Sequence, residues 1–167
     1  MNIIIHRGTH EIGGSCIELR HGDTRLVMDI GMPLVASGGG RFDMQDYKDL
    51  SERQLVEEGI LPNISGFYRW DVESKPIDAV LVSHAHFDHY GFASFLRADI
   101  KYHLGEGTQK LMELSSIFSG QNSKIEHCNT FQSGKRFRVG SITITPYLTD
   151  HSAFDAYSFL IEAGGNR

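Results

Sequence analysis

One segment limits what this chain can fold into more than any other. Residues 77–82 have the sequence Ile-Asp-Ala-Val-Leu-Val, nearly all apolar, and are bounded by Pro76 and Ser83. A short apolar run of this kind is typical of a strand that is buried on both faces of its sheet. The chain is therefore expected to place structure on either side of a sheet, and the residues after Ser83 are expected at the carboxyl end of its central strand.

The hydrophobic pattern predicts further strands before and after this segment. Alternating apolar residues and turn residues favour a β-meander in the first 30 residues, with turns at Gly13-Gly14 and Gly22-Asp23. Strands are predicted at 2–5, 15–19, 25–30, 101–104, 135–139, 141–148 and 154–161. The strands are thus concentrated in the first and last parts of the chain.

Apolar residues at helical spacing predict helices between these strands. They are placed at 51–58 with Ser51 as its cap, at 89–97, and at 108–118 with Leu111, Leu114 and Ile117 on one face. Residues 33–76 have a weaker strand pattern and are interpreted as an insertion within a single domain, residues 1–167. The predicted fold class is α/β (α+β), with helices flanking one main mixed sheet.

The predicted central strand leads directly into a cluster of potential metal ligands. Residues 84–89 are His-Ala-His-Phe-Asp-His. In extended backbone His84 and His86 point the same way, and a turn into a helix brings Asp88 and His89 toward a neighbouring point. Imidazole and carboxylate suit Zn²⁺ or a similar first-row ion better than Ca²⁺ or Mg²⁺. The alternative is a solvated polar loop, but the change from strand to helix at this point favours a metal site.

Four segments together resemble the metallo-β-lactamase superfamily. Residues 8–19, GTHEIGGSCIEL, are similar to the glycine-rich opening of its ribonuclease J and β-CASP branch, and residues 26–31, LVMDIG, to the strand with the first-motif aspartate. Residues 84–89 match the metal-binding motif, and residues 146–152, PYLTDHS, resemble the strand end that carries the third-motif histidine. The resemblance implies an αββα sandwich and metal-dependent hydrolysis.

The resemblance also implies a role for individual residues. One divalent cation would be held by His84, His86 and His151, and a second by Asp88 and His89. Asp88 would in addition be catalytic, because it would orient the metal-activated water and receive its proton. The expected ions are zinc, with manganese as the other candidate.

Two of the implied residues have alternative interpretations on the local sequence alone. The resemblance places Asp29 behind the ligands, where its carboxylate would accept an imidazole N–H and fix the tautomer of the ring. Asp29 also precedes Gly31 and could simply be a turn residue. His151 could be an ordinary surface histidine. Asp150 beside it is not expected to be a ligand, since neighbouring residues of a strand point to opposite faces.

The family pattern continues beyond what this sequence contains. In the family, a strand matching residues 156–162 is followed by a short strand that ends in a metal-bridging aspartate, whereas this sequence stops at Arg167. We therefore expect an incomplete domain with weak or no activity and a second metal site that is weak or empty. An unpaired sheet edge is expected to favour self-association.

The leading functional hypothesis is phosphodiester hydrolysis of RNA, on the resemblance to the ribonuclease J branch. The small basic cluster Lys135, Arg136 and Arg138 adds little, and the net charge of −5 neither requires nor excludes a nucleic acid. The alternatives are a thioester or lactone hydrolase of the same fold and a non-catalytic metal-binding or scaffold domain. We expect a cytoplasmic protein that does not enter a membrane, with Cys16 and Cys128 as reduced thiols.

Overall fold

The computed structural model describes residues 1–119, 125 and 127–167, and its larger sheet has six strands. In spatial order these are β1 (Asn2–Arg7), β2 (Cys16–His21), β3 (Thr24–Met28), β4 (Ala79–Leu81), β5 (Lys101–Gly105) and β6 (Cys128–Phe131). The first three strands pair antiparallel, and β3 through β6 pair parallel. The predicted β-meander and the predicted main mixed sheet are both confirmed.

A smaller antiparallel sheet packs on one face of the first. It contains β7 (Phe137–Val139), β8 (Ile142–Leu148) and β9 (Tyr157–Glu162). Between the two sheets lies an apolar cluster built from Leu19, Leu26, Ala79, Leu81, Val139, Ile142 and Ile144. Sheets that stack in this way bury alternate residues of each strand, and Ile142 and Ile144 of β8 are two such buried residues.

The other face of the larger sheet is covered by helices and loops. The helices are α1 (Glu52–Glu57), α2 (Phe87–Tyr90) and α3 (Glu106–Ser119), with short 3₁₀ turns at Met44–Tyr47 and Ala93–Phe95. Val80 and Val82 belong to the apolar core on this side, while Ala79 and Leu81 face the smaller sheet. The central strand is therefore buried on both faces, as its sequence predicts.

Residues 33–76 form one wall of the helical side. Ser51 caps α1 by accepting the Gln54 N–H, and the Gln54 side chain accepts the Ser51 N–H in return. Leu55 of this helix is buried, so the predicted helix is confirmed. Phe42 and Tyr68 from the same segment also enter the core. The description of this segment as an insertion remains a prediction.

The helix predicted at 89–97 is wrong in both position and length. α2 begins at Phe87 and ends at Tyr90, and only a 3₁₀ turn follows. The N–H of Phe92 donates to the carbonyl of Ile30, and the carbonyl of His89 accepts the N–H of Ile30. Backbone groups that would continue the helix are thus bonded to the loop after β3, and these tertiary bonds override the helical pattern.

The apolar face predicted for α3 is also wrong, although the helix itself is confirmed. Leu114 and Ile117 are 52% and 73% exposed, whereas Thr108 and Met112 are buried. The Thr108 N–H and hydroxyl donate to the Asp155 side chain and backbone, which turns the face containing residues 108 and 112 inward.

Several strand boundaries differ from the predictions, and one strand was not predicted. β3 stops at Met28 because Asp29 adopts a left-handed conformation with φ of 59°. β9 starts at Tyr157 and not at 154, because Asp155 has φ of 61°. β6 was not predicted, since Cys-Asn-Thr-Phe has too few apolar residues to indicate a strand. No helix in residues 1–119, 125 and 127–167 is both long and apolar enough to cross a membrane.

Candidate metal centre

Three of the predicted metal ligands meet at the carboxyl end of the central strand. His84 and His86 lie in the loop between β4 and α2, and His151 lies in the loop between β8 and β9. One ligand atom from each of the three lies within 4.8 Å of the other two. The His84 ring centroid is 4.8 Å from that of His86 and 4.4 Å from that of His151. The arrangement matches the predicted set for one ion, and ligation itself remains a prediction.

His84 is the most buried member of this triad. His84 is 3% exposed, and its Nε2 has no hydrogen-bond partner among the residues that the structure describes. Burial, together with the neighbouring His89, His151 and His86 rings, lowers the pKa of His84 to about 4. The ring is therefore neutral at ordinary pH, which is the form that binds a metal. A buried nitrogen lone pair without a partner is costly unless something such as a cation binds it.

The buried Asp29 organises the residues behind the triad. Its Oδ1 accepts the Ser83 backbone N–H at 2.8 Å, and its Oδ2 accepts the Ser83 hydroxyl at 2.9 Å. Oδ2 also accepts the His89 Nδ1–H at 2.7 Å. Asp29 thus lies where the resemblance implies, with His89 as its imidazole partner. Its left-handed backbone also ends β3.

Asp88 and His89 lie together beside the triad. The Nδ1–H of His89 faces Asp29, and its Nε2, an acceptor when the ring is neutral, lies 3.5 Å from Oδ2 of Asp88. Two acceptors at this distance repel each other unless a proton or a cation lies nearby. Burial by itself lowers the pKa of His89, but the hydrogen bond and charge of Asp29 and the charge of Asp88 outweigh it and raise the pKa.

The predicted second ion has fewer ligands than the first. Within the part of the chain that the structure describes, the one set of three donors close enough to share an ion is the histidine triad, and it includes neither Asp88 nor His89. The pair therefore supplies two protein ligands to a second ion, fewer than the three or four that tight zinc sites have.

His151 is held differently from His84. Its side chain is exposed, and its Nδ1 accepts the backbone N–H of Ser152 at 2.8 Å. Because Nδ1 accepts this hydrogen bond, the neutral ring carries its own hydrogen on Nε2. A cation that binds Nδ1 would therefore displace the Ser152 N–H, and a cation that binds Nε2 would displace the ring hydrogen.

Glycines allow the backbone to pass close beneath Asp88. A Cβ on Gly31 would lie 1.7 Å from the Asp88 carbonyl oxygen, and that same carbonyl accepts the Gly14 N–H at 3.1 Å. A Cβ on Gly13, which has φ of 76°, would lie 2.9 Å from the Asp88 Cβ. Gly13 and Gly14 of the glycine-rich opening therefore pack directly against Asp88.

Two residues that position the site were missed by sequence reasoning. In the sequence Ser83 marks only the end of the predicted central strand, but its hydroxyl lies between Asp29, His84 and His89. Asp155 anchors the loop that carries His151 to the amino end of α3 through Thr108. The place of Ser83 between a buried strand and His84 was a usable signal, whereas nothing local singles out Asp155.

The donor set fits a divalent first-row cation. Three imidazoles, of which at least His84 is neutral and presents a bare nitrogen, form the type of site that zinc occupies in hydrolytic enzymes. Calcium and magnesium prefer oxygen ligands and do not suit this triad.

Comparison with known proteins places these observations in a family. The model of the family described as "Beta-lactamase superfamily domain" matches residues 67–167, which include all the predicted metal ligands. A search of curated proteins finds no match.

Several solved structures share the fold. A protein of unknown function from Enterococcus faecalis is 22% identical with a TM-score of 0.77, over 97% of this chain and 40% of its own. Zn²⁺-bound PqqB from Methylobacterium extorquens is 16% identical with a TM-score of 0.56, over 92% and 47%. The metallo-β-lactamase fold protein YhfI from Bacillus subtilis is 16% identical with a TM-score of 0.55, over 97% and 58%. This chain thus spans between two fifths and three fifths of the length of these three proteins.

Proposed function

Because this chain belongs to the β-lactamase superfamily, we propose that it acts as a metal-dependent hydrolase of the metallo-β-lactamase type. The observation that carries the proposal is the histidine triad, whose ligand atoms lie within 4.8 Å of one another around the unpartnered Nε2 of His84. His84, His86 and His151 would hold one divalent cation, with zinc as the first candidate and manganese as the second.

A divalent cation in such a site supplies Lewis acidity and makes a water molecule nucleophilic near neutral pH. The residues of the chain do the rest. Asp88 lies beside the triad with its carboxylate 3.5 Å from His89 Nε2, so it can accept a hydrogen bond from the attacking water and then its proton. Asp29 holds His89 through Nδ1 and keeps Nε2 available. Asp88 and His89 would also hold the second cation, which we propose is bound more weakly.

For the substrate, we propose the phosphodiester backbone of RNA. Support comes from the similarity of residues 8–19 and 146–152 to the ribonuclease J branch. The first of these segments includes the Gly14 contact to Asp88. The exposed basic cluster adds limited support, since Arg136 pairs with Glu162 at 3.4 Å and so part of its charge is neutralised.

A small acyl compound, such as a thioester or lactone, is the second candidate. It is favoured by apolar side chains near Asp88. Gly13 lies against both the Leu34 side chain and the Asp88 Cβ, and Leu34 and Ile12 are 47% and 70% exposed. Apolar groups beside a candidate general base suit the apolar part of an acyl substrate better than a phosphate backbone.

The two substrate classes can be separated with one set of assays. The purified protein, loaded with zinc or manganese, is incubated with a 5′-phosphorylated RNA oligonucleotide and, separately, with a thioester and a lactone. We expect weak cleavage of RNA that is lost with a chelator and in His84→Ala, but retained in His127→Ala, which removes an exposed histidine outside the triad. Turnover of the acyl compounds without RNA cleavage would instead establish the second candidate.

The same variants address a non-catalytic role. If no substrate is turned over and His84→Ala leaves every measured property unchanged, the hydrolase proposal fails in favour of a scaffold domain. We further propose a cytoplasmic location, for which the two cysteines, which form no disulfide, are the support.

A further inference from the structure

Ser83 contacts three polar side chains of the site at once. Its Oγ is 2.9 Å from Asp29 Oδ2, 3.0 Å from His84 Nδ1 and 3.1 Å from His89 Nδ1. A hydroxyl carries a single hydrogen, so it can donate to one of these groups and must accept from the others.

The carboxylate determines where that hydrogen goes. A carboxylate can only accept hydrogen bonds. At 2.9 Å the oxygens of Ser83 and Asp29 would repel each other unless the hydroxyl hydrogen lay between them. The Ser83 hydroxyl therefore donates to Asp29, and its lone pairs face the two imidazoles. His89 Nδ1 already carries a hydrogen, because it donates to Asp29 at 2.7 Å. The contact between Ser83 Oγ and His84 Nδ1 is then favourable only if His84 Nδ1 also carries the hydrogen.

This assignment determines the state of the opposite side of the His84 ring. A neutral imidazole with its hydrogen on Nδ1 has a bare lone pair on Nε2. In His84 that nitrogen is buried, belongs to the triad, and has no hydrogen-bond partner within residues 1–119, 125 and 127–167. The other tautomer would direct a buried N–H toward the place where a ligand lone pair is needed, and would set two lone pairs against each other at Ser83.

We propose that Ser83 is a positioning residue that fixes His84 in its Nδ1–H tautomer and so presents Nε2 as the metal ligand. The inference rests on the proposed metal site but on no particular substrate. Through the shared Asp29 Oδ2, Ser83 also links His84, in the first ligand set, to His89, in the second. One carboxylate thereby orients ligands of both sets.

The test is a direct determination of the tautomer. Protein labelled with ¹⁵N-histidine is stripped of metal and examined by long-range ¹H–¹⁵N correlation NMR, and its zinc affinity is measured by titration calorimetry. The variants are Ser83→Ala, which removes the hydroxyl, and Ser83→Thr, which keeps it. Ser152→Ala is the matched control, because it removes the hydroxyl of a serine next to another predicted ligand.

We expect the Nδ1–H form of His84 in the wild-type protein, in Ser83→Thr and in Ser152→Ala. In Ser83→Ala both tautomers should appear, with zinc affinity reduced about 10-fold to 100-fold, the range for loss of a group that orients a ligand. Circular dichroism establishes that the variant is folded. The inference is overturned if wild-type His84 carries its hydrogen on Nε2, or if folded Ser83→Ala keeps both the tautomer and the affinity. Zinc binding without any hydrolysis would contradict the proposed function while leaving this inference intact.

Discussion

Tyr157 donates its backbone N–H to the carbonyl oxygen of Ser83 at 3.0 Å. The bond joins the start of β9 to the end of the central strand, and so links the two sheets beside the triad. His84 follows Ser83 directly, and His151 lies in the loop that Tyr157 closes. The position of His151 thus depends on a contact between segments that are distant in sequence. Several testable predictions follow from contacts of this kind.

Asp155 should control the position of His151. Its carboxylate accepts the Thr108 N–H and the Tyr157 hydroxyl, each at 2.8 Å. Asp155→Ala removes a helix cap and places alanine at a positive φ, so we expect unfolding free energy to fall by about 1–2 kcal/mol and zinc affinity to fall with it. Asp155→Asn is the control, because asparagine caps helices and tolerates this conformation. Equal zinc affinity in Asp155→Ala and wild type would show that the anchor does not position His151.

Gly31 should tolerate no side chain. An added Cβ would lie 1.7 Å from the Asp88 carbonyl oxygen, so the loop carrying Asp88 and His89 must move. We expect Gly31→Ala to lower the unfolding free energy by about 1–3 kcal/mol, as overpacking does, and to weaken metal binding. Gly38→Ala, where the added Cβ meets no atom of the described part of the chain within 4 Å, should leave both properties unchanged. Chemical denaturation and calorimetry show whether the space between Gly31 and the Asp88 backbone can accept a methyl group.

Glu18, which is not part of the metal site, should make the free energy of unfolding depend on pH. Its side chain is fully buried; burial raises its pKa, but the hydrogen bonds of His6, Arg20 and Arg25 outweigh burial and hold the pKa well below the usual range. A carboxylate with a depressed folded pKa stabilises the fold above its unfolded pKa, and this contribution is lost as pH falls through acid values.

Glu18→Gln tests this directly. At pH 7 the variant should be less stable by about 1–3 kcal/mol, because the partly buried Arg25 and the exposed Arg20 lose the charge of their buried partner. The difference should shrink below about pH 4, where the wild-type carboxylate begins to lose its advantage. A difference in denaturation midpoint that stays constant from pH 7 to pH 3 would contradict the assignment.

Metal binding should disturb His151 more than His84. The Nδ1 of His151 accepts the Ser152 N–H, so ligation through either nitrogen changes that ring's partners, whereas His84 already presents a bare Nε2. In a zinc titration followed by NMR, we expect a large shift of the Ser152 amide and loss or movement of the His151 ring proton, while His84 keeps its Nδ1–H. An unmoved Ser152 amide at saturating zinc would contradict this.

Sequence patterns predict correctly the parts of the fold that depend on neighbouring residues. The central strand, the meander and the α1 cap depend on neighbouring residues, and they were predicted correctly. The end of α2 and the buried face of α3 are set by bonds to Ile30 and Asp155, far away in the chain, so periodicity alone gave the wrong result. The family motifs named the residues that meet at the site. They did not identify the role of Ser83, because that role depends on the contacts of its hydroxyl with Asp29, His84 and His89.

The most direct test of the central claim is a crystal structure of the zinc-loaded protein with anomalous diffraction at the zinc edge. We predict a peak about 2.0–2.1 Å from one ring nitrogen each of His84, His86 and His151, with Nε2 as the His84 ligand. The account is contradicted if saturating zinc gives no peak within reach of these three rings, or if zinc binds only at other residues.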